Sequence, residues 1–299
     1  MRRSDRLKSA FARRRLVYTR ELRTTGMKTG RAIDHVGIAS RSLDGLASRY
    51  EQLDFTLTPR AQHPDHIGTS NRLAQFSGAN FVELIEVDRP GAIAPVREGA
   101  MNFGAFTRDL LARREGISLI AFRTADRDAD LARWQAAGLD IYAPFDFERL
   151  ATLPDGTQQV VRFELGFVTH PDIDALFFVC DNKAEEHFWK PEYQKHANAA
   201  ESLHAVVLCA EDPMRHTAFL SALFGGRVQA GEAGQEDGIR VECEGGFIAV
   251  CTPAVLEPFG WKQEPGSRAV PAGIEVRSAL HAGRTTARQD AGDLFIRWI

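Results

Sequence analysis

Two side chains that could share a proton or a metal stand inside apolar runs. His35 sits in AIDHVGIAS, residues 32–40, and Glu83 sits in NFVELIEV, residues 80–87. An imidazole and a carboxylate can together bind a divalent ion such as Zn²⁺, Mn²⁺, Fe²⁺ or Ni²⁺. Without a metal the same two groups can work as acid and base, Glu83 taking a proton and His35 holding or returning one. They could equally form a buried, mutually satisfied pair with no chemistry. A second group lies between His63 and Arg72, where His66, Thr69, Asn71 and Arg72 follow a turn-rich loop. Arg72 could clamp a carboxylate or phosphate, and Asn71 and Thr69 could hold carbonyl or hydroxyl oxygens. The plainer account of that stretch is a polar hairpin rim.

Strands must position both groups. Over residues 33–39, Val36 and Ile38 share one face, while His35, Gly37 and Ala39 share the other. Ser42 then caps a helix whose apolar stripe is Leu43, Leu46, Ala47 and Tyr50. Further strands are expected over 55–60, 71–76 and 81–87, the last two joined by a turn at Ser77–Asn80. On the last strand Val82 and Leu84 belong to the helix side, so Glu83 joins His35 on the opposite, concave face. The same alternation means that Asn71 and Arg72 cannot both reach that face from a regular strand.

This β-α-β-β-β order recurs from positions near 33, 117, 203 and 273, with further helices expected over 106–114, 128–137 and 214–223. Each unit carries one helix and one small sheet, so its second sheet face must be covered by a neighbour or line a cavity. Pairing consecutive units gives domains over 31–183 and 202–299, joined by an interdomain segment over 184–201. That segment, rich in His187, Trp189, Tyr193, His196 and Asn198, reads as a clamp between domains or as an aromatic wall over a pocket. Residues 1–30 are arginine-rich without apolar periodicity, a disordered extension or one that precedes a start at Met27. In the second unit the counterparts of His35 and Glu83 are Ser118 or Leu119 and Phe178, leaving His170 as an outside choice for a third ligand. In the third unit His204 takes the place of His35, without a carboxylate on its expected partner strand, so the second domain reads as structural.

Composition narrows the class. The chain has 299 residues, 44% hydrophobic and 26% charged, enough to bury a full core, and a net charge of −3 that argues against a nucleic-acid partner. No apolar run reaches the ~20 residues of a membrane helix. Cys180, Cys209, Cys243 and Cys251 lack metal or redox spacing and read as buried thiols of a reducing, cytoplasmic compartment.

DHVGIASRSLDGL, GTSNRLAQF and NFVELIEV resemble segments of the vicinal oxygen chelate superfamily, which includes glyoxalase I, extradiol dioxygenases and bleomycin-resistance proteins. The segments HIGTSNR at 66–72 and FWKPEYQKHANAA at 188–200 are similar to the glyoxalase-like domain proteins within it. The resemblance implies an α+β fold in which four βαβββ modules pair into two glyoxalase-like domains with curled antiparallel sheets. It also implies a divalent metal on first- and fourth-strand ligands, here His35 and Glu83, with substrate contacts at His66, Thr69, Asn71 and Arg72. Three functions follow from it as expectations. The chain could be a lyase, isomerase or dioxygenase-like enzyme on a small oxygen-rich molecule. It could be a metal-free small-molecule binding protein, with a homodimer as its assembly. Or it could be a catalytically silent scaffold.

Overall fold

A computed structural model describes residues 30–152, 157–225, 228–231, 234–263 and 266–299. The N-terminal extension lies outside the described residues except for Gly30, which bridges to Cys243. Among the described residues, no helix is long and apolar enough to cross a membrane.

The first unit forms as its alternation dictates. Strand β1 is Ile33–Ala39, followed by helix α1, Leu43–Gln52, whose N-cap Ser42 accepts the Gly45 N–H. Leu43, Leu46, Ala47 and Tyr50 are the buried face of α1. No strand forms over 55–60, where one was expected; the next strand is the two-residue β2, Ala61–Gln62. Pro59 has no N–H to extend a ladder. Thr58 instead ties this segment to Leu73, through its own N–H at 2.9 Å and through its Oγ1 at 2.9 Å. Strands β3, Ser70–Gln75, and β4, Phe81–Glu86, complete the unit. Helix α2, Phe103–Leu111, begins earlier than expected because Asn102 caps it, accepting from the N–H groups of Gly104 and Ala105.

The second unit contributes β5, Gly116–Arg123, helix α3, Arg127–Ala136, and strands β6 (Phe145–Thr152), β7 (Gln158–His170) and β8 (Ile173–Asn182). The eight strands form one sheet in the order β2-β3-β4-β1-β5-β8-β7-β6. The short helix α4, Glu185–Phe188, opens the link to the second half. A second sheet of seven strands follows the same plan, with strands Ala200–Cys209 and Val270–Ser278 at its centre and helix α5, Thr217–Phe224, on one side. Neither sheet is wholly antiparallel. The first and fourth strands of the first three units run parallel, as in β1 with β4 and β5 with β8, because the helix after the first strand carries the chain back across the sheet. The fourth unit has no α-helix after its first strand and carries only a single 3₁₀ turn, Arg288–Asp290.

Val36, Ile38, Val82 and Leu84 face one continuous core that also holds Phe177, Phe219, Leu223 and Trp298, so the helix-bearing sides of both sheets pack together. Phe55 stacks on Trp298 at 5.6 Å, and the Tyr50 hydroxyl donates to Ala291 O at 3.3 Å. The opposite face of each sheet curls around its own apolar cluster. All four cysteines are buried.

Candidate functional site

On the concave face of the first sheet, His35, Asn71, Glu83 and His63 converge on a cavity. Strand alternation delivers His35 from β1 and Glu83 from β4. The His35 ring is fixed by stacking on Phe81, 4.2 Å between centroids and 15° between planes, and by the edge of Phe178 at 5.3 Å. A register shift between Ile33 and His35 marks an irregularity at Asp34. It brings a residue that alternation sends to the other face back beside its neighbour. The Asp34 carboxylate therefore lies 2.5 Å from His35 Nδ1, with Arg123 Nε 3.5 Å from its other oxygen.

Glu83 stands between the two imidazoles. Its Oε1 accepts from Asn71 Nδ2 at 2.6 Å and lies 3.6 Å from His63 Nε2; its Oε2 lies 3.9 Å from His35 Nε2. The last two separations are too long for hydrogen bonds. His35 and Glu83 are thus not bonded to each other, although both are buried.

His63 follows β2 in a loop that is pinned at several points. Its Nδ1 meets Thr69 Oγ1 at 2.9 Å, and Arg89 Nη2 donates to the carbonyls of His63 and Thr69 at 3.0 and 2.9 Å. Gly68, at φ 74°, turns the chain there, and a Cβ would come within 2.6 Å of Arg89 O. The ring stands edge-on to Phe103 at 5.2 Å.

Of the residues singled out in the sequence, His35, Glu83 and Asn71 line the cavity, and Thr69 sits one step behind, on His63. His66 is exposed on the rim, its carbonyl accepting from Ala94 N–H and Asn102 Nδ2 at 2.9 Å each. Arg72 points away, donating to Thr58 O at 2.9 Å and pairing with Glu51 at 2.9 Å. Ser118 bonds to Gly37 O, and His170 packs against Phe219 and His216, away from the cavity. His63 and Asp34 were missed. The signal for His63 was Thr69, placed to close a loop back on it.

The second unit brings apolar side chains to the lining, among them Leu119, Leu165, Phe167 and Phe178. Cys180 belongs to it as well. Burial, followed by Asp34, Asp181 and Glu83, pushes the pKa of its thiol well up. The segment over 184–201 adds Phe188 and Trp189 to the lining. It is held by Gln75, whose Nε2 donates to Phe188 O and whose Oε1 accepts from Lys190 N–H, and by His196 between Thr56 N–H and Gln75 O. Asn198 donates to Leu53 O, and Ser278 Oγ donates to Asn198 O, so the segment ties both halves and also walls the pocket.

Among the described residues, no three His, Cys, Asp or Glu side chains stand where they could hold a metal ion together. The donors present are two imidazole nitrogens facing one carboxylate that Asn71 already engages. By type they are three metal ligands, but as placed here they do not gather around one point.

A family model described as a glyoxalase-like domain matches residues 33–224. The fold resembles that of a hypothetical protein from Staphylococcus aureus, at 12% identity, covering 90% of this chain and 99% of that one, with a TM-score of 0.67. It is also similar to a Mn(II)-bound glyoxalase from Novosphingobium aromaticivorans, at 14% identity over 84% of this chain and 66% of that one, TM-score 0.49. A methylmalonyl-CoA epimerase from Mycobacterium tuberculosis shares 22% identity over 53% of this chain and 92% of that one, TM-score 0.33. The first likeness shows the fold; the other two carry no argument. A search among curated proteins finds no match.

Proposed function

The chain belongs to the glyoxalase-like domain family, and on that premise we propose that the cavity of its first sheet binds a small oxygen-bearing molecule and moves a proton on it. The observation that carries this reading is the 3.9 Å gap between His35 Nε2 and Glu83 Oε2. A ligand oxygen between them can lie about 2.8 Å from both, a hydrogen-bond distance to each. The outer atoms are already engaged. Asp34 holds His35 Nδ1, and Asn71 holds Glu83 Oε1. The inner atoms therefore face the ligand.

With Asp34 as acceptor, the His35 ring keeps its proton on Nδ1. Its Nε2 is then the atom left to the ligand, an acceptor as it stands and a donor once it carries a proton. Glu83 takes a proton from a hydroxyl, or from carbon beside a carbonyl; His35, in the form with a proton on Nε2, donates to the oxygen where charge develops, and Glu83 then returns its proton to the ligand. Asn71 orients Glu83, and the Phe cluster holds the apolar body and excludes water. This is lyase- or isomerase-type chemistry. For a divalent ion, Zn²⁺, Mn²⁺, Fe²⁺ or Ni²⁺, the donors His35, Glu83 and His63 are suitable in type but not gathered around one point.

The test uses 2-hydroxyacetophenone in D₂O, with C–H exchange followed by NMR. Wild type should exchange above the buffer rate, and Glu83→Gln should slow exchange by about 10²-fold or more while keeping the fold. Equal rates in the two proteins would overturn the role of Glu83. Tight binding with no exchange would make the chain a binding protein instead. One divalent ion per chain, lost in His35→Ala, would replace the metal-free account.

A further inference from the structure

Resting on the reading of this cavity as the binding site, we infer that its ligand is a cation: an ammonium compound with an apolar or aromatic body. The charge of the lining supports this. Three carboxylates, Asp34, Glu83 and Glu185, reach the cavity, and among the described residues no lysine or arginine lines it. The basic groups nearby are committed elsewhere. Arg72 pairs with Glu51, and Lys183 pairs with Asp181 at 2.5 Å and Glu164 at 3.3 Å. Arg123 approaches Asp34 from outside the lining. A carboxylate or phosphate entering the cavity would shed its water beside Glu83 with no counter-cation to meet it.

The rest of the lining suits a cation. Eight aromatic rings border the cavity. At its mouth, Glu185 stands exposed on α4 beside Phe188 and Trp189, whose rings meet edge to face at 4.9 Å; Trp189 also stands edge-on to Phe81 at 6.0 Å. Aromatic rings next to a carboxylate are the chemistry that recognises ammonium groups, because the ring faces are negative and the cation is not fully desolvated. The mouth is therefore the ammonium seat. The ligand oxygen lies inward, between His35 and Glu83.

Three isosteric probes separate charge from shape: phenyltrimethylammonium, tert-butylbenzene and benzenesulfonate. Calorimetric titration of the full chain should rank the cation about tenfold or more above the neutral probe, with the anion weakest. Glu185→Gln should weaken the cation severalfold and leave the neutral probe unchanged. Trp189→Ala should weaken both. Benzenesulfonate binding as tightly as the cation would overturn the charge assignment and leave the site standing. Binding of all three that ignores Trp189→Ala, or no binding at all, would overturn the site and the assignment together.

Discussion

Replacing His196 by alanine should cost about 3–4 kcal/mol at neutral pH and less in mild acid. The ring is spent on two bonds in the neutral form. Nδ1 accepts the Thr56 N–H at 3.0 Å, and the proton on Nε2 goes to Gln75 O at 2.8 Å. Each such bond contributes about 1 kcal/mol net, and leaving a partly buried amide unpaired adds about 1 kcal/mol or more. The ring also stands edge-on to Phe55 and Phe76, at 5.5 and 5.3 Å between centroids, which adds about 1 kcal/mol. Burial lowers the pKa of His196, and the bond to Gln75 O only partly opposes it. The folded state therefore keeps the ring neutral at a pH where the unfolded ring, titrating near about 6.5, takes up a proton. The stability carried by the neutral ring is present in full above about pH 6.5 and is lost as pH falls from there toward the lowered folded value. Urea unfolding of wild type and His196→Ala, followed by circular dichroism at pH 7.5 and 5.5, measures both terms. A loss below about 1 kcal/mol, or one equal at the two pH values, would refute the account. The same variant should weaken phenyltrimethylammonium binding, since Gln75 also holds Phe188 and Lys190.

Arg72→Ala should leave ligand affinity unchanged and cost about 1–2 kcal/mol in thermal or urea unfolding, because its partners are Glu51 and Thr58 O, outside the cavity. Asp34→Asn should slow 2-hydroxyacetophenone exchange by about 10²-fold with little change in binding, since it releases the proton held on His35 Nδ1; NMR exchange and calorimetry separate the two effects. Gly37→Ala should lower the unfolding midpoint, costing about 1–3 kcal/mol, because its Cβ would stand 2.7 Å from Ile85 Cδ1 and 2.9 Å from Leu119 Cδ1.

The alternation of β1 and β4 made His35 and Glu83 legible, because a period of two assigns faces without knowledge of the fold. Asn71 and Arg72 were ambiguous for the same reason: one of them had to face outward, and the pairing of β3 with β4 decides which. His63 and Asp34 escaped. A residue in a loop has no period, and a strand irregularity breaks the period that Asp34 would otherwise obey. The strand over 55–60 failed because Thr58 replaces ladder bonds with its own. His204 was one position out. It is Ala205 that pairs with Phe247 as His35 pairs with Phe81.

That shift separates the concave faces of the two sheets. Across the second sheet Val207 pairs with Ala249, where Gly37 pairs with Glu83 in the first. The counterparts of both His35 and Glu83 are therefore alanines. The concave face there is filled instead by Leu256, Trp261 and Phe295, with Glu275 and Arg297 paired at 2.5 Å. Burial raises the Glu275 pKa even against that arginine, so the pair is a packed element of the wall. On the helix-bearing side neither sheet is free to change in this way, because Val36, Ile38, Val206 and Leu208 belong to one shared core. A concave face has no helix to satisfy. It can be emptied around His35 and Glu83 in one sheet and filled in the other without disturbing the packing that holds the two together.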